Sequence, residues 1–435
     1  MDELVSIGRR EDAVANGVPG AADVAVIGAG VVGLACALEL ARRGLRVTVV
    51  DRGTAGCGAS HGNAGLLTPS LATPLAQPGY ALKAARWMLD PESPFYIRPS
   101  LDPALIRWLC VFLLSSRRSR FERNTPALVE LCRWSVDAWE GLARSGDPAF
   151  GYGRNGLLLL LETAGGLASA RRSAEFTERL GVPWELWEAE RVRAEEPSVI
   201  GPMIGAVHYP AEAQCEPALA VRRLRMEAER LGVRVVERCA ATGVRAEGGV
   251  VRALETERGP TEVEHVVLSN GFWAGSLGRS LGLRIPMRAG KGYSLQFERG
   301  ERHPSRPMYL VERKVVVTPH EERVRLAGTL EVVGDDLSVN ARRVGAIERG
   351  ARSMMELSSR RAEPEAWAGL RPCLADGMPA IGRAPGRKNL WLAIGHQMAG
   401  LKSAPATGRL LAELMCGEKP TFDPGPFDPA RCCKG

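Results

Sequence analysis

The segment that most constrains this chain lies near its start. Asp23-Val24-Ala25-Val26-Ile27 is a short apolar run, and Gly28-Ala29-Gly30-Val31-Val32-Gly33 follows it directly. Leu34 to Arg43 continues as an Ala- and Leu-rich helix that Gly44 closes. Arg46 to Val50 is a second apolar strand, and Asp51 ends it, 21 residues after Gly30. Gly28 permits the tight turn, Gly30 lets the backbone approach a pyrophosphate, and Gly33 lets helix and strand pack closely. The first amides of the helix have no partners and the helix dipole is positive there, which favours phosphate. A carboxylate at the end of the second strand suits the hydroxyls of an adenosine ribose and repels the 2′-phosphate of NADP. The expectation is a dinucleotide on a Rossmann-like unit, with Gly28, Ala29, Gly30, Val31, Val32, Gly33 and Asp51 around its ADP half.

Two further stretches favour FAD over NAD. The loop Gly56-Cys57-Gly58-Ala59-Ser60-His61-Gly62-Asn63-Ala64-Gly65-Leu66 is built of small residues, so a flat, bulky group can lie against its backbone. Asn389 to Ile394 reads as a strand, 395–403 as a turn and Ala406 to Leu414 as a helix. Such a unit aims a second helix N-terminus into the fold, where it stabilises the negative charge of a reduced flavin. The alternative is an NAD-dependent dehydrogenase with one Rossmann unit. It would carry a second nucleotide signature or a catalytic Cys, His or Lys motif, and the sequence shows neither.

Composition bounds the remainder. At roughly 100–200 residues per domain, 435 residues allow two or three domains. With 45% hydrophobic and 25% charged residues the chain is neither disordered nor low-complexity. No run approaches the roughly 18 apolar residues of a membrane span. The net charge of +7 comes from scattered arginines without interleaved aromatics, which speaks against a nucleic-acid partner. The ten cysteines form no CxxC spacing, so no metal site is expected. The cysteine usage suits a reducing cytoplasm, Cys36 and Cys239 read as buried, and Cys432-Cys433 read as an exposed pair in the tail. Leu105, Ile106, Trp108, Leu109, Phe112 and Leu113 recur at helical spacing, with Arg117, Arg118 and Arg120 behind them. A helix covering a substrate domain is the preferred reading, and peripheral contact with the inner face of a membrane is the alternative.

The stretches VAVIGAGVVGLACALELARRGLRVTVVDR (24–52), GASHGNAG (58–65), EPALAVRRL (216–224), VVLSNGFWAGSL (266–277), KGYSL (291–295), GLRPCLADGMPAIG (369–382) and NLWLAIGHQMAGLKSAPATG (389–408) together carry a resemblance. From about Asp23 to Cys416 the chain resembles the FAD-dependent D-amino-acid oxidase superfamily, nearest its D-amino-acid dehydrogenase small-subunit and glycine-oxidase branches.

The resemblance implies an α/β fold: a discontinuous, glutathione-reductase-like FAD-binding domain with an inserted α+β substrate domain on an antiparallel sheet. The expected boundaries are an extension at 1–21, the FAD domain at 22–85, 203–280 and 350–420, the substrate domain at 86–202 and 281–349, and a tail at 421–435. Arg52 joins the ADP site, Ala241 stands at the adenine, and Gly271 is a further cofactor-binding residue. Ala59, Ser60, Asn63, Ala64, Gly65 and Leu66 wrap a non-covalently bound flavin, and Gly395, Gly400, Leu401 and Lys402 face its ring. His61 stands one position away from the place where some relatives attach flavin covalently.

Arg371 matches the family's anchor for the substrate carboxylate, a role that a planar two-pronged guanidinium suits, while a structural salt bridge is its other reading. Relatives often carry an aromatic residue where this chain has Val315-Val316-Val317, and Tyr293 and Tyr309 are the candidate replacements. His396 is expected to bond flavin, substrate or only backbone, and Lys291 to face the flavin or the surface. The implied reaction is oxidation of a D-amino acid or D-proline-type imino acid by hydride transfer from Cα to flavin N5. The products are a 2-oxo acid or cyclic imine, and a quinone or other acceptor takes the electrons. A glycine- or sarcosine-type oxidase using O2 and a non-catalytic FAD electron-transfer subunit are the alternatives.

Overall fold

The computed structural model describes residues 22–79, 93–357 and 364–434. The expected extension at 1–21 lies outside them. β1 (Ala22–Ile27), α1 (Val31–Ala41) and β2 (Val47–Val50) form the expected unit. Every residue of both strands is buried, as in a parallel sheet covered on both faces. Next come β3 (Leu66–Leu67), β4 (Phe95–Ile97), α2 (Pro103–Ser115), α3 (Arg118–Arg144), β5 (Leu157–Leu161), α4 (Ala164–Glu178), β6 (Glu185–Glu188), α5 (Ala189–Glu195), β7 (Gly205–Tyr209), β8 (Ala213–Gln214) and α6 (Pro217–Arg230). Four strands follow: β9 (Arg234–Val236), β10 (Ala241–Glu247), β11 (Val250–Thr256) and β12 (Gly259–Leu268). α7 (Ala274–Ser280), β13 (Met287–Glu298), β14 (Met308–Leu310), β15 (Val315–Pro319), β16 (Arg323–Val332), α8 (Ala341–Arg352), β17 (Glu365–Leu374), β18 (Ala380–Arg383), β19 (Leu390–Ile394) and α9 (Gly400–Cys416) complete the chain.

Two large sheets carry the architecture. In the first, β19, β12, β1, β2 and β9 run parallel, with Val26 opposite both Val267 and Val49. β18 extends one edge, and β10 and β11 fold as a hairpin onto the first half of β12. The second sheet has nine strands in the order β17-β13-β16-β15-β14-β5-β7-β6, with β4 on β16. It is antiparallel except where β14 meets β5 and β16 meets β4.

Sheet membership departs from the boundaries read from the sequence. β7 lies after 203 and β17 after 350, yet both hydrogen-bond into the nine-stranded sheet. Strand pairing over long sequence separations sets membership there, and local pattern does not report it. The tail differs too: Cys433 is buried in the core under the first sheet, and Lys434 bridges to Arg284.

Candidate active site

The glycine turn is shaped as its spacing requires. Gly28 has φ +109°, and a Cβ there would lie 2.7 Å from the Ser269 carbonyl oxygen. A Cβ on Gly33 would lie 1.9 Å from the Gly28 oxygen, so only glycine lets α1 sit this close. Gly30, by contrast, is uncrowded: a Cβ there would meet Ser60 Oγ at an ordinary 3.5 Å. α1 starts there without a side-chain cap from its own N-cap residue; Ser60 Oγ reaches across to accept from Val31 N at 3.2 Å. Val32 borders the start of α9, where its Cγ2 would be 3.9 Å from a Cβ on Gly400. Asp51 accepts from Ala29 N at 2.7 Å and from Gly53 N at 2.8 Å. Arg52 stacks on Trp273 at 3.6 Å, just beyond Gly271. Asn270 Oδ1 is buried without a partner beside this turn. Ala241 opens β10 opposite Thr256, and the backbone amides that meet Asp51 and Gly53 belong to Cys239 and Arg238.

The small-residue loop is clasped by the second sheet. Arg325, almost fully buried, donates to the Asn63 carbonyl oxygen at 2.8 Å, to Glu216 at 2.9 Å and to Gln296 at 3.2 Å. Thr318 Oγ1 donates to the Ala64 oxygen at 2.7 Å. Asn63 Oδ1 takes the Gly65 amide, Leu66 pairs with Gln214, and Ala59 remains half-buried. A Cβ on Gly62 would lie 2.0 Å from the Trp367 ring, so that ring lies flat on the loop. Thr318, Arg325 and Trp367 escaped the sequence reading. An arginine at an inward position of an alternating strand was the available signal for Arg325.

At the other end, β19 leads through Gly395 into a turn and then α9, whose start also lacks a side-chain cap. His396 is buried, and its Nε2 lies 3.0 Å from Thr407 Oγ1. Burial lowers its pKa to about 3, so the ring is neutral and braces the turn. Leu401 packs its side chain into the core. Lys402 does not aim its ammonium at the helix start. Nζ turns back to Thr68 Oγ1 at 3.1 Å and to the Thr68 and Leu71 carbonyl oxygens at 3.3 and 3.4 Å. What Leu401 and Lys402 offer a ligand is therefore backbone.

Arg371 sits on β17, opposite Gly290 of β13. Its guanidinium crosses Gly292, where a Cβ would fall 2.0 Å from Nη1, and Nη1 donates to the Thr329 carbonyl oxygen at 2.8 Å. Among the described residues no carboxylate pairs with it, and burial draws its pKa below the usual range. The structural salt bridge is thus not what the geometry shows. The backbone around it is strained. Thr329 has φ 64° although β-branched, and Gln397, whose amide donates to the Pro372 oxygen at 3.1 Å, has φ 51°. Left-handed non-glycine residues of this kind cluster at functional sites.

The two tyrosines part company. Directly opposed residues share a sheet face, and Tyr309, Val316, Ala327, Ser294 and Trp367 oppose one another across five strands. Ser294 is two residues from Gly292, so Tyr309 shares the Arg371 face. Tyr293 is one residue out of phase and faces away, its hydroxyl donating to Glu331, which also holds Arg343. Its expected substrate role is overturned by the pleat. Lys291, on that same far face, is buried and paired with Asp336 at 2.8 Å, so it is not a surface lysine.

These residues fit FAD. The uncrowded backbone at Gly30, the Asn270 oxygen that has no partner among the described residues and Asp51 suit the adenosine and pyrophosphate, and the clasped loop and the α9 start suit the ring. A family model described as DAO, FAD dependent oxidoreductase, matches residues 23–414. A protein named D-amino acid dehydrogenase from Cereibacter sphaeroides is 32% identical over 406 residues, covering 92% of this chain and 93% of its own. Glycine oxidase from Geobacillus kaustophilus has a similar structure, with TM-score 0.74, 24% identity and coverage of 94% of this chain and 98% of that one. L-proline dehydrogenase from P. horikoshii does so too, with TM-score 0.75, 20% identity and coverage of 95% and 98%. The chain belongs to the DAO family of FAD-dependent oxidoreductases.

Proposed function

We propose that the protein oxidatively deaminates a D-amino acid, or a D-proline-type imino acid, to the 2-oxo acid or cyclic imine, and passes the electrons to a quinone-class acceptor. The observation that carries this reading is Arg371. A buried guanidinium with no carboxylate partner is costly, and a small substrate carboxylate supplies the missing charge. The relatives named D-amino acid dehydrogenase support the choice of substrate class.

FAD, when bound, supplies the two-electron oxidation. The chain supplies position. Arg371 holds the carboxylate in one orientation through its fork, and the Thr329 carbonyl fixes the fork. Tyr309 stands on the same face but four strands over, about 19 Å away at about 4.8 Å per strand, so a small substrate held at Arg371 does not reach it. His396, neutral and bonded to Thr407, neither gives nor takes the amine proton. The substrate amine gives up its extra proton to solvent and enters neutral, so that its lone pair can assist the loss of the Cα hydrogen as hydride.

The test is anaerobic flavin bleaching with paired D- and L-amino acids, repeated in Arg371→Lys. The D-series should bleach the wild type. The variant should purify yellow and lose roughly 100-fold in reduction rate, because a loosely held carboxylate misplaces Cα. A simple amine without a carboxylate should be far less affected. Bleaching by L-isomers alone would overturn the stereochemistry, and equal losses for amine and amino acid would overturn Arg371 as the anchor. Oxygen uptake that matches turnover would replace the quinone with O2.

A further inference from the structure

α2 breaks the pattern of a surface helix. Its thirteen residues, PALIRWLCVFLLS, hold a single charge, Arg107. One face is committed to the fold: Leu105 and Trp108 are buried beside Leu75 and Cys373, with Leu109 and Phe112 packed against them. Trp108 Nε1 donates to the Cys373 carbonyl oxygen at 3.2 Å, and Asp102 at the helix start pairs with Arg288 at 2.6 Å. The helix therefore cannot roll.

The outward stripe is apolar as well. Ile106, Cys110, Leu113 and Leu114 follow one another at helical spacing and are all exposed; Leu113 and Leu114 are half exposed, and Leu101 just ahead is 91% exposed. A helix apolar on both sides belongs in a core or against lipid. At 1.5 Å per residue this one is about 20 Å long, and among the described residues no helix is long and apolar enough to cross a membrane.

Charge identifies what covers the stripe. Arg98, Arg107, Arg117, Arg118, Arg120 and Arg123 are all exposed around it. The acids within this stretch, Asp102 and Glu122, are already engaged by Arg288 and Arg118. An apolar stripe with a cationic rim is complementary to the surface of an anionic bilayer. A cleft of about 630 Å³ opens beside Leu101 and Leu113, is walled by Phe95, Ile97 and Trp108, and has Leu330 and Cys373 in its lining. Leu330 follows Thr329 on β16, and Cys373 lies two residues after Arg371 on β17.

We propose that α2 lies in the headgroup boundary of an anionic bilayer, with Leu101, Ile106, Leu113 and Leu114 in the hydrocarbon and the surrounding arginines on the phosphates. The mouth of the cleft then meets lipid rather than water.

The holoenzyme is sedimented with phosphatidylcholine vesicles, with and without phosphatidylglycerol, at low and high salt. Binding is expected to the anionic vesicles only, and to weaken with salt. Leu113→Asp/Leu114→Asp should lower the partition at least about tenfold, and Arg117→Gln/Arg118→Gln/Arg120→Gln by roughly 10- to 100-fold at low salt. Leu231→Asp, at an equally exposed leucine after α6, should bind as wild type and shows that added charge alone is not the cause. Each variant should stay yellow with an unchanged unfolding temperature.

Wild type left in the supernatant, or a Leu113/Leu114 variant that binds normally, overturns the proposal. So does a wild-type dimer that this variant splits, because a second copy would then cover the stripe. The assay reads no turnover, so an error in the substrate assignment leaves its outcome unchanged.

Discussion

Arg371 owes its place to a residue without a side chain. A methyl group on Gly292 would meet Nη1 at 2.0 Å, and the φ of Gly292 lies outside the left-handed region. Gly292→Ala should therefore fold and hold FAD while pushing the guanidinium off the Thr329 carbonyl. We expect kcat/KM for an amino acid to fall roughly 100-fold with the visible spectrum unchanged, since a displacement of about 1 Å costs that much. Stopped-flow reduction checks this, and an unaltered rate would separate Arg371 from the substrate. Asp51 offers a second residue-scale test. It follows β2 and takes the Ala29 amide of the glycine turn and the Gly53 amide of its own loop, which fixes the carboxylate where we propose that the ribose lies. Asp51→Ala should raise the FAD dissociation constant roughly 10- to 150-fold, the loss of a charged hydrogen bond worth about 1.5–3 kcal/mol. Titration of the apoprotein with FAD measures it, and full retention of FAD would displace the site.

At the scale of elements, the clasp between β16 and the loop at 59–66 joins the two sheets. Arg325 satisfies the Asn63 carbonyl, Glu216 and Gln296 at once. Arg325→Gln leaves Glu216 without its closest cation and frees the loop. FAD affinity should fall at least about tenfold, more than in Thr318→Val, which loses one neutral hydrogen bond worth about 1 kcal/mol. Apoprotein unfolding should shift less than holoprotein unfolding if the clasp serves the cofactor. Equal shifts in both would make the clasp a purely architectural joint.

The whole molecule carries a pH dependence that can be isolated. His320 is buried, and although Glu216 lies 3.3 Å away, burial dominates and lowers its pKa to about 4. Between pH 4 and the ordinary value near 6.5, the unfolded chain binds a proton that the folded chain refuses. The stabilisation is complete above about pH 6.5 and is lost as the pH falls toward about 4. From pH 7 to 5 this amounts to about 2 kcal/mol for His320. His396 acts in the same direction. Glu212 is buried, its pKa raised to about 8, and it acts in the opposite direction over the same window. The comparison with His320→Gln cancels these other groups. Urea midpoints at pH 7, 6 and 5 should show a smaller acid loss in the variant, and parallel slopes would exclude His320 as a source.

The parts legible in the sequence are those whose causes are local. The turn from Gly28 to Gly33, the carboxylate at Asp51 and the start of α9 each follow from residues within one supersecondary unit, where spacing alone dictates shape; Arg371 is marked by the family resemblance and not by spacing. Tertiary structure decided which side chains meet. Tyr293 and Tyr309 are both tyrosines on strands, and only the register of β13 against β17 and of β14 against β15 puts them on opposite faces, because a step of one residue along a pleat reverses a side chain. Lys402 follows a glycine turn that the resemblance sets against the flavin, yet buried oxygens of Thr68 and Leu71 capture its ammonium. Arg325 reaches Asn63 across 262 positions of chain, a contact that no local pattern encodes. Local physics determined the shape of the glycine turn and the carboxylate beside it, and long-range strand pairing determined which side chains surround Arg371.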